Sequence, residues 1–148
     1  MRASNKRKKA GLRLGLCCMF AAEPIKFRTT TATAMLRLGN KERLARLAEL
    51  CRVNADALLA SLKFCVAHGI GAFRINSQIL PVKTHAEAGY TMDALPGGAD
   101  IVARFEACGA FARTNGLRLS FHPDQFVVLN SPTAHTRDRK STRLNSSH

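Results

Sequence analysis

The sequence predicts an α/β protein built on a parallel sheet, and more specifically a (β/α)8 TIM barrel of which about the first three βα units are present. Three short apolar runs alternate with two segments of helical periodicity. Such alternation is typical of parallel strands joined by right-handed helical crossovers. An open doubly wound sheet is the alternative, but no G-x-G-x-x-G motif follows the first run. A complete barrel needs about 250 residues, so the 148-residue chain would hold only part of one.

The first half of the chain predicts a strand, a long helix and a second strand. Residues 13–19 form the first apolar run, and a threonine-rich connection follows it. Asn40 is the expected N-cap of the helix. Apolar residues then recur at helical spacing as far as Cys65, and Gly69 is a typical helix stop. Residues 70–75 form the second apolar run, which has the length of a buried strand.

The second half repeats this order after a long connection. Residues 76–97 form that connection, and loops of this length in compact domains often carry function. A second amphipathic helix is expected over residues 101–112. Residues 117–121 are the third apolar run, and Ser131 and Pro132 offer an N-cap and a first helical position for another helix.

The two ends of the chain differ from its middle. Residues 1–12 are basic and are expected to be a disordered extension. Together with the apolar residues 14–22 they could instead form a signal peptide. Residues 138–148 resemble one translated frame of a short-read sequencing adapter, so we expect them not to be natural sequence. The barrel part would then be residues 13–137, a fragment of a longer protein. Without these ends the net charge of +13 falls to a modest positive bias, which permits a polyanionic partner but does not require one.

Apolar content and cysteine usage argue against a membrane or secreted protein. The apolar stretch over residues 12–22 is too short to span a bilayer and is interrupted by Arg13. The five cysteines include no C-x-x-C pair and lie mostly among apolar neighbours, as buried thiols do in a reducing compartment. We therefore expect a cytoplasmic protein, and no obligate protein partner is evident.

Polar side chains follow the second apolar run, at the end of a strand where ligands bind in parallel α/β folds. They are Arg74, Asn76 and Gln78. The planar fork of Arg74 could hold a phosphate. It could equally pair with a neighbouring carboxylate, and the sequence leaves both interpretations open.

Two histidines are the candidate metal ligands. His122 directly follows the third run, and His85 lies on the long connection. An imidazole can coordinate a metal, move a proton or satisfy a core hydrogen bond, and a loop histidine is often simply solvated. Because successive strand ends are neighbours on a barrel rim, the pair suits a divalent metal completed by carboxylates from elsewhere.

Several motifs in a fixed order resemble those of the UV damage endonuclease family. They are Phe73-Arg74-Ile75-Asn76-Ser77-Gln78-Ile79-Leu80-Pro81, Thr84-His85, Ser120-Phe121-His122-Pro123-Asp124-Gln125-Phe126 and Ser131-Pro132. The resemblance implies a metal-dependent (β/α)8-barrel DNA-repair endonuclease. Such an enzyme nicks the backbone of UV-damaged double-stranded DNA on the 5′ side of photoproducts and so initiates excision repair.

The resemblance also implies roles for individual residues. His85 and His122 would be ligands of a divalent metal cluster, commonly Mn²⁺, and Gln125 and Phe126 would probe the damaged duplex. Many members have tyrosine at the position of Phe126, and Leu16 replaces another family tyrosine. Phe126 could instead simply begin the apolar run that follows it.

The remaining implications concern DNA contacts and activity. Arg74, Asn76 and Gln78 are the further candidate DNA-binding residues. The catalytic residues are unknown and are expected in strands beyond this chain, so the fragment itself should be inactive. Two alternatives stay open. One is another metal-dependent barrel enzyme of the apurinic-site endonuclease or sugar isomerase type. The other is a non-catalytic basic nucleic-acid-binding protein that uses residues 1–12.

Overall fold

A parallel three-stranded sheet packed against helices forms the described part of the molecule. The structure, a computed structural model, describes residues 13–17 and 19–121. Its strands are β1 (Gly15–Cys17), β2 (Ala72–Ile75) and β3 (Arg118–Phe121), in the spatial order β1-β2-β3. Its helices are α1 (Ala32–Leu36), α2 (Asn40–Ala67) and α3 (Gly98–Thr114). Both strand pairs are parallel, which confirms the predicted α/β class.

The main hydrophobic core lies between the sheet and helices α2 and α3. Phe73 and Ile75 of β2 are buried and pack with Leu62 of α2 and Cys108 of α3. Burying a side chain of this kind stabilises a fold by about 1.5–3 kcal/mol. Because side chains alternate along a strand, Arg74 between them lies on the opposite face and is exposed.

The first connection differs from the prediction. It contains the short helix α1, whose N-cap Thr31 accepts a hydrogen bond from the Ala34 N–H at 3.2 Å. Five residues are too few to show helical periodicity in a sequence. Asn40 is the first residue of α2 and not its N-cap, which is Gly39. The Asn40 side chain instead accepts a hydrogen bond from Arg43 Nη2 at 2.8 Å.

The second connection is a series of turns packed on a second, smaller core. Ala88, Tyr90 and Leu95 from this connection contact Leu47 of α2. The connection then meets α3 closely, because a Cβ atom at Gly98 would collide with the Met92 carbonyl oxygen. The packing therefore holds the residues that follow β2 in fixed positions. No helix in the described ranges is long and apolar enough to cross a membrane.

Candidate functional site

The three polar residues predicted after β2 all lie at its carboxyl end. Arg74 is exposed beside Ser120 of β3 in register. It makes no ion pair within the described ranges, so the predicted pairing with a carboxylate is not found there. Asn76 Oδ1 accepts the Gln78 backbone N–H at 3.0 Å, and Gln78 Oε1 accepts the Thr29 hydroxyl at 2.7 Å. Asn76 therefore shapes the turn, while Gln78 connects it to the loop that follows β1.

A buried asparagine that the sequence analysis did not single out holds both loops against α2. Asn54 has no exposed surface. Its Oδ1 accepts the Arg28 backbone N–H at 2.7 Å, and its Nδ2 donates to the carbonyls of Arg28 at 2.8 Å and Ile79 at 2.9 Å. A polar residue between Cys51 and Leu58 on the apolar stripe was the signal that could have identified it.

His85, one of the two predicted metal ligands, is an exposed residue on the loop after β2. Its Nδ1 faces the backbone N–H groups of Glu87 and Ala88, each at 3.2 Å. Because an amide N–H can only donate, Nδ1 is the acceptor and the proton of the neutral ring lies on Nε2. A metal would bind His85 either at Nδ1, in place of the two amides, or at Nε2 after the proton moves to Nδ1, and both routes end the amide contacts.

The remaining sequence-predicted site residues, His122, Gln125 and Phe126, lie outside the described residues. Whether His85 and His122 converge therefore stays a prediction. Within residues 13–17 and 19–121, no group of three or more His, Cys, Asp or Glu side chains is placed to hold a metal ion. Any further ligands of such a site would come from other parts of the protein.

An open cleft with a cavity volume of about 550 Å³ lies between the start of α2 and the loop that carries His85. We call it the basic cleft. Arg43 of α2 and Lys83 of the loop line it, and the described residues of its lining include no carboxylate. The sequence gives no sign of this cleft, because the two cations are forty positions apart and neither belongs to a recognisable motif.

Two titratable groups at the wall of the basic cleft, the Tyr90 phenol and the Cys51 thiol behind it, add no negative charge to it. Tyr90 lines the cleft, and its buried hydroxyl lies 3.2 Å from Cys51 Sγ. Burial raises the pKa of the Tyr90 phenol well above its ordinary value, and burial likewise raises the pKa of the Cys51 thiol. Because neither group ionises near neutral pH, Arg43 and Lys83 set the charge of the cleft.

Known proteins similar to this chain have one activity in their names. The family model for the UV-endonuclease UvdE matches residues 12–148. The UV DNA damage endonuclease of Deinococcus radiodurans is 34% identical over 140 residues, which cover 91% of this chain and 43% of that relative. The corresponding protein of Bacillus cereus strain Q1 is 31% identical over 108 residues, covering 73% of this chain and 32% of that relative. The chain thus spans less than half the length of these relatives.

A solved structure extends the likeness to the fold. The crystal structure of SacUVDE is similar with a TM-score of 0.69 at 24% identity, covering 91% of this chain and 43% of that chain. At this identity the likeness shows a shared fold and no more. The family model, in contrast, matches nearly the whole sequence. This chain therefore belongs to the UV-endonuclease UvdE family.

Proposed function

We propose that this chain forms the first βα units of a (β/α)8-barrel DNA-repair endonuclease, which nicks UV-damaged double-stranded DNA on the 5′ side of the photoproduct. Family membership supports the activity. The single structural observation that supports it most is the carboxyl-end edge of β2. Arg74 lies near the end of this strand, and Asn76, Gln78 and His85 follow it, at the edge where active sites lie in barrels.

The described residues contribute a preorganised edge for the DNA. The exposed guanidinium of Arg74 can bind a backbone phosphate through two parallel N–H donors. The Thr29–Gln78 hydrogen bond and the buried Asn54 fix the loops after β1 and β2, so these two loops need not be ordered when DNA arrives. A photoproduct is poorly stacked and costs less to flip out than a normal base. In this proposal Gln125 and Phe126 probe the duplex at the lesion.

Metal dependence is part of the same proposal. His85 and His122 would be ligands of a divalent metal cluster, with Mn²⁺ as the expected ion. When bound, such metals activate water and offset charge on the phosphate. The contacts of Nδ1 with the Glu87 and Ala88 amides hold the His85 ring in one orientation before a metal arrives.

A nicking assay on the complete gene product that contains this chain tests the proposal. With Mn²⁺ present, we expect cleavage of UV-irradiated duplex on the 5′ side of the lesion, no cleavage of the unirradiated duplex, and loss of cleavage with a chelator. Equal cleavage of both duplexes, or cleavage only at abasic sites, would reject it. Because the catalytic residues are expected in strands beyond this chain, we expect the 148-residue chain alone not to cut.

A further inference from the structure

We infer that the basic cleft is a phosphate-binding site that takes a DNA backbone phosphate other than the one that is cut. Naming DNA as the source of the phosphate rests on the proposed nuclease function. The chemistry itself, a tetrahedral anion held by fixed cationic donors, is equally that of free phosphate. The cleft volume of about 550 Å³ lies within the range of about 300–1,000 Å³ that is usual for ligand sites.

The first argument is charge. Arg43 comes from α2 and Lys83 from the loop after β2, and tertiary folding brings both to one cleft. The three described ion pairs involve Arg52 and Arg104, so neither cleft cation is neutralised by a carboxylate within the described ranges. Two cations without a counter-charge attract an anion, and a guanidinium matches the geometry of phosphate.

The second argument is a buried donor without an acceptor. Arg43 Nη2 donates to Asn40 Oδ1 at 2.8 Å, which holds the guanidinium at the cleft wall. Arg43 Nε is buried and has no hydrogen-bond partner among the described residues. Buried donors in native proteins nearly always have a partner, so an orphaned one indicates an acceptor still to come. Arg43 lines the basic cleft, so a phosphate bound there would bring an acceptor to this side chain.

The third argument is the start of α2 itself. This helix has 28 residues, and its N-cap Gly39 provides no side-chain hydrogen bond to the first amides. Asn40, the first helical residue, lines the cleft. The first turn of α2, which also carries Glu42, therefore forms part of the cleft wall beside Arg43, and helix starts bind phosphate groups.

The loop wall opposite the helix is preformed. Val82 adopts a φ of 50°, a conformation that costs a β-branched residue energy and persists only where the surroundings enforce it. The Val82 carbonyl accepts the His85 N–H at 3.0 Å, and the His85 carbonyl accepts the Gly89 N–H at 2.9 Å. A Cβ at Gly89 would collide with the His85 carbonyl. The loop therefore holds Lys83 at the cleft before any ligand binds.

The basic cleft adjoins the proposed metal site, because His85 belongs to both, but Arg43 and Lys83 suit a phosphate and not a metal ion. A metal cluster needs several carboxylate or imidazole ligands, whereas the described lining offers one imidazole and no carboxylate. A phosphate held here by Arg43 and Lys83 would anchor the duplex without regard to the lesion. It would therefore raise the affinity for damaged and undamaged DNA alike.

The test uses Arg43→Gln and Lys83→Gln in the complete gene product, with fluorescence anisotropy on an irradiated and an unirradiated duplex over a series of salt concentrations. Each variant should weaken binding to both duplexes by the same factor, roughly threefold to tenfold. It should also lower the salt slope, which is the slope of log affinity against log salt concentration, by about one. Lys63→Gln is the matched control, because Lys63 is an exposed cation near the other end of α2 and should change nothing.

Arg43→Lys guards against a folding artefact, since it keeps the charge and should restore the salt slope. If the protein nicks only irradiated duplex and both variants keep the parent's salt slope, the cleft inference is overturned and the proposed function is retained. If the variants lose affinity for duplex but the parent does not nick irradiated DNA selectively, the cleft inference is supported and the proposed function is rejected. A parallel titration with inorganic phosphate separates the sources: if Arg43→Gln weakens only phosphate binding and not duplex binding, the DNA assignment is overturned.

Discussion

At the scale of single residues, Asn54 connects more of the candidate site than any predicted ligand does. Replacing it with alanine leaves the Arg28 amide, the Arg28 carbonyl and the Ile79 carbonyl without their partner. We expect Asn54→Ala to lower the free energy of unfolding by about 2–4 kcal/mol, because buried polar groups left unpaired are costly. Urea denaturation of the parent and variant measures this difference.

Ser61→Ala is the control for that experiment. Ser61 is also fully buried on α2, but its hydroxyl donates only to the Ala57 carbonyl at 2.7 Å, one turn back in the same helix. Its removal should cost about 1 kcal/mol or less. Equal losses for the two variants would show that Asn54 contributes no more than a local bond.

Metal binding by His85 has a spectroscopic signature that does not depend on cleavage. Mn²⁺ broadens signals of nearby nuclei, so we use diamagnetic Zn²⁺ as the probe and follow the amide signals of Glu87 and Ala88 by NMR. If the metal takes Nδ1, both amides lose their acceptor and their signals should shift. His68→Ala should leave the titration unchanged, since the His68 ring is stacked on Phe64. A titration that survives His85→Ala would contradict the assignment.

The buried thiols and phenol make stability depend on alkaline pH. Burial raises the pKa values of Cys51, Cys108 and Tyr90 in the folded state. In the unfolded chain these groups lose their protons at lower pH, so unfolding releases protons and the free energy of unfolding falls as pH rises above about 8.5. Cys51→Ala should flatten this decline in denaturation series between pH 7 and 10. A stability that rises with pH would contradict it.

Residues at a predicted strand end could be found from the sequence. Residues whose role depends on contacts with distant parts of the chain could not. Arg74 lies near the end of a strand and Asn76, Gln78 and His85 follow it, and a strand end is visible in the order of residues. Arg43 and Lys83 come together only because α2 packs beside the second connection. The sequence around either residue does not indicate that packing. Asn54 was hidden for another reason, because a periodicity argument counts apolar positions and passes over a polar one.

Among the elements, the start of α3 depends on a close approach that only glycine allows. Gly98→Ala would force its Cβ against the Met92 carbonyl oxygen, so we expect clear destabilisation by more than about 1 kcal/mol. Gly109→Ala within the same helix is the matched control. There the nearest atom to a new Cβ is the flexible Arg113 side chain at 3.3 Å, and alanine favours the helix by up to about 1 kcal/mol.

Thermal unfolding of the two variants, followed by circular dichroism, measures the contrast. The expected shifts have opposite signs, with a lower Tm for Gly98→Ala and a Tm for Gly109→Ala at or above that of the parent. If both variants melt at the same temperature, the contact between the second connection and α3 does not matter for stability.

The long helix α2 was predictable and the short helix α1 was not. Helix α2 shows its apolar stripe over many turns, and Leu47, Leu58 and Leu62 on that stripe are buried as expected. Helix α1 is one turn and a half, and its formation depends on the Thr31 cap and on burial of Met35. Such support comes from contacts with distant residues, so a threonine-rich stretch gives no sign of it.

At the scale of the whole molecule, one face of the sheet is uncovered within the described ranges. Cys17, Arg74 and Ser120 lie side by side on this face in register and are exposed. Phe121, at the end of β3, is 66% exposed as well. Parallel sheets are ordinarily covered on both faces, and open strand edges pair with other chains. We expect the 148-residue chain to self-associate, as measured by sedimentation velocity. A monodisperse monomer that melts cooperatively would contradict this.

The sequence predicted the parallel α/β class, while closure of a barrel is still a prediction. The order β1-β2-β3 is the order in which barrel strands follow one another. It is also found within open sheets, so neighbouring strands alone do not decide between them. The extension over residues 1–12 and the adapter-like tail over residues 138–148 lie outside the described residues, and a longer DNA read is the direct check of the tail.

Strands that are neighbours in the chain are also neighbours in the sheet, and this has a consequence for biosynthesis. As the polypeptide leaves the ribosome, β2 can pair with β1 as soon as α2 and β2 have emerged. After α3 has emerged, β3 can pair with the free edge of β2. Growth can therefore proceed from the amino terminus without waiting for distant segments. Until the next strand emerges, the nascent chain exposes an unpaired backbone edge that chaperones would have to cover.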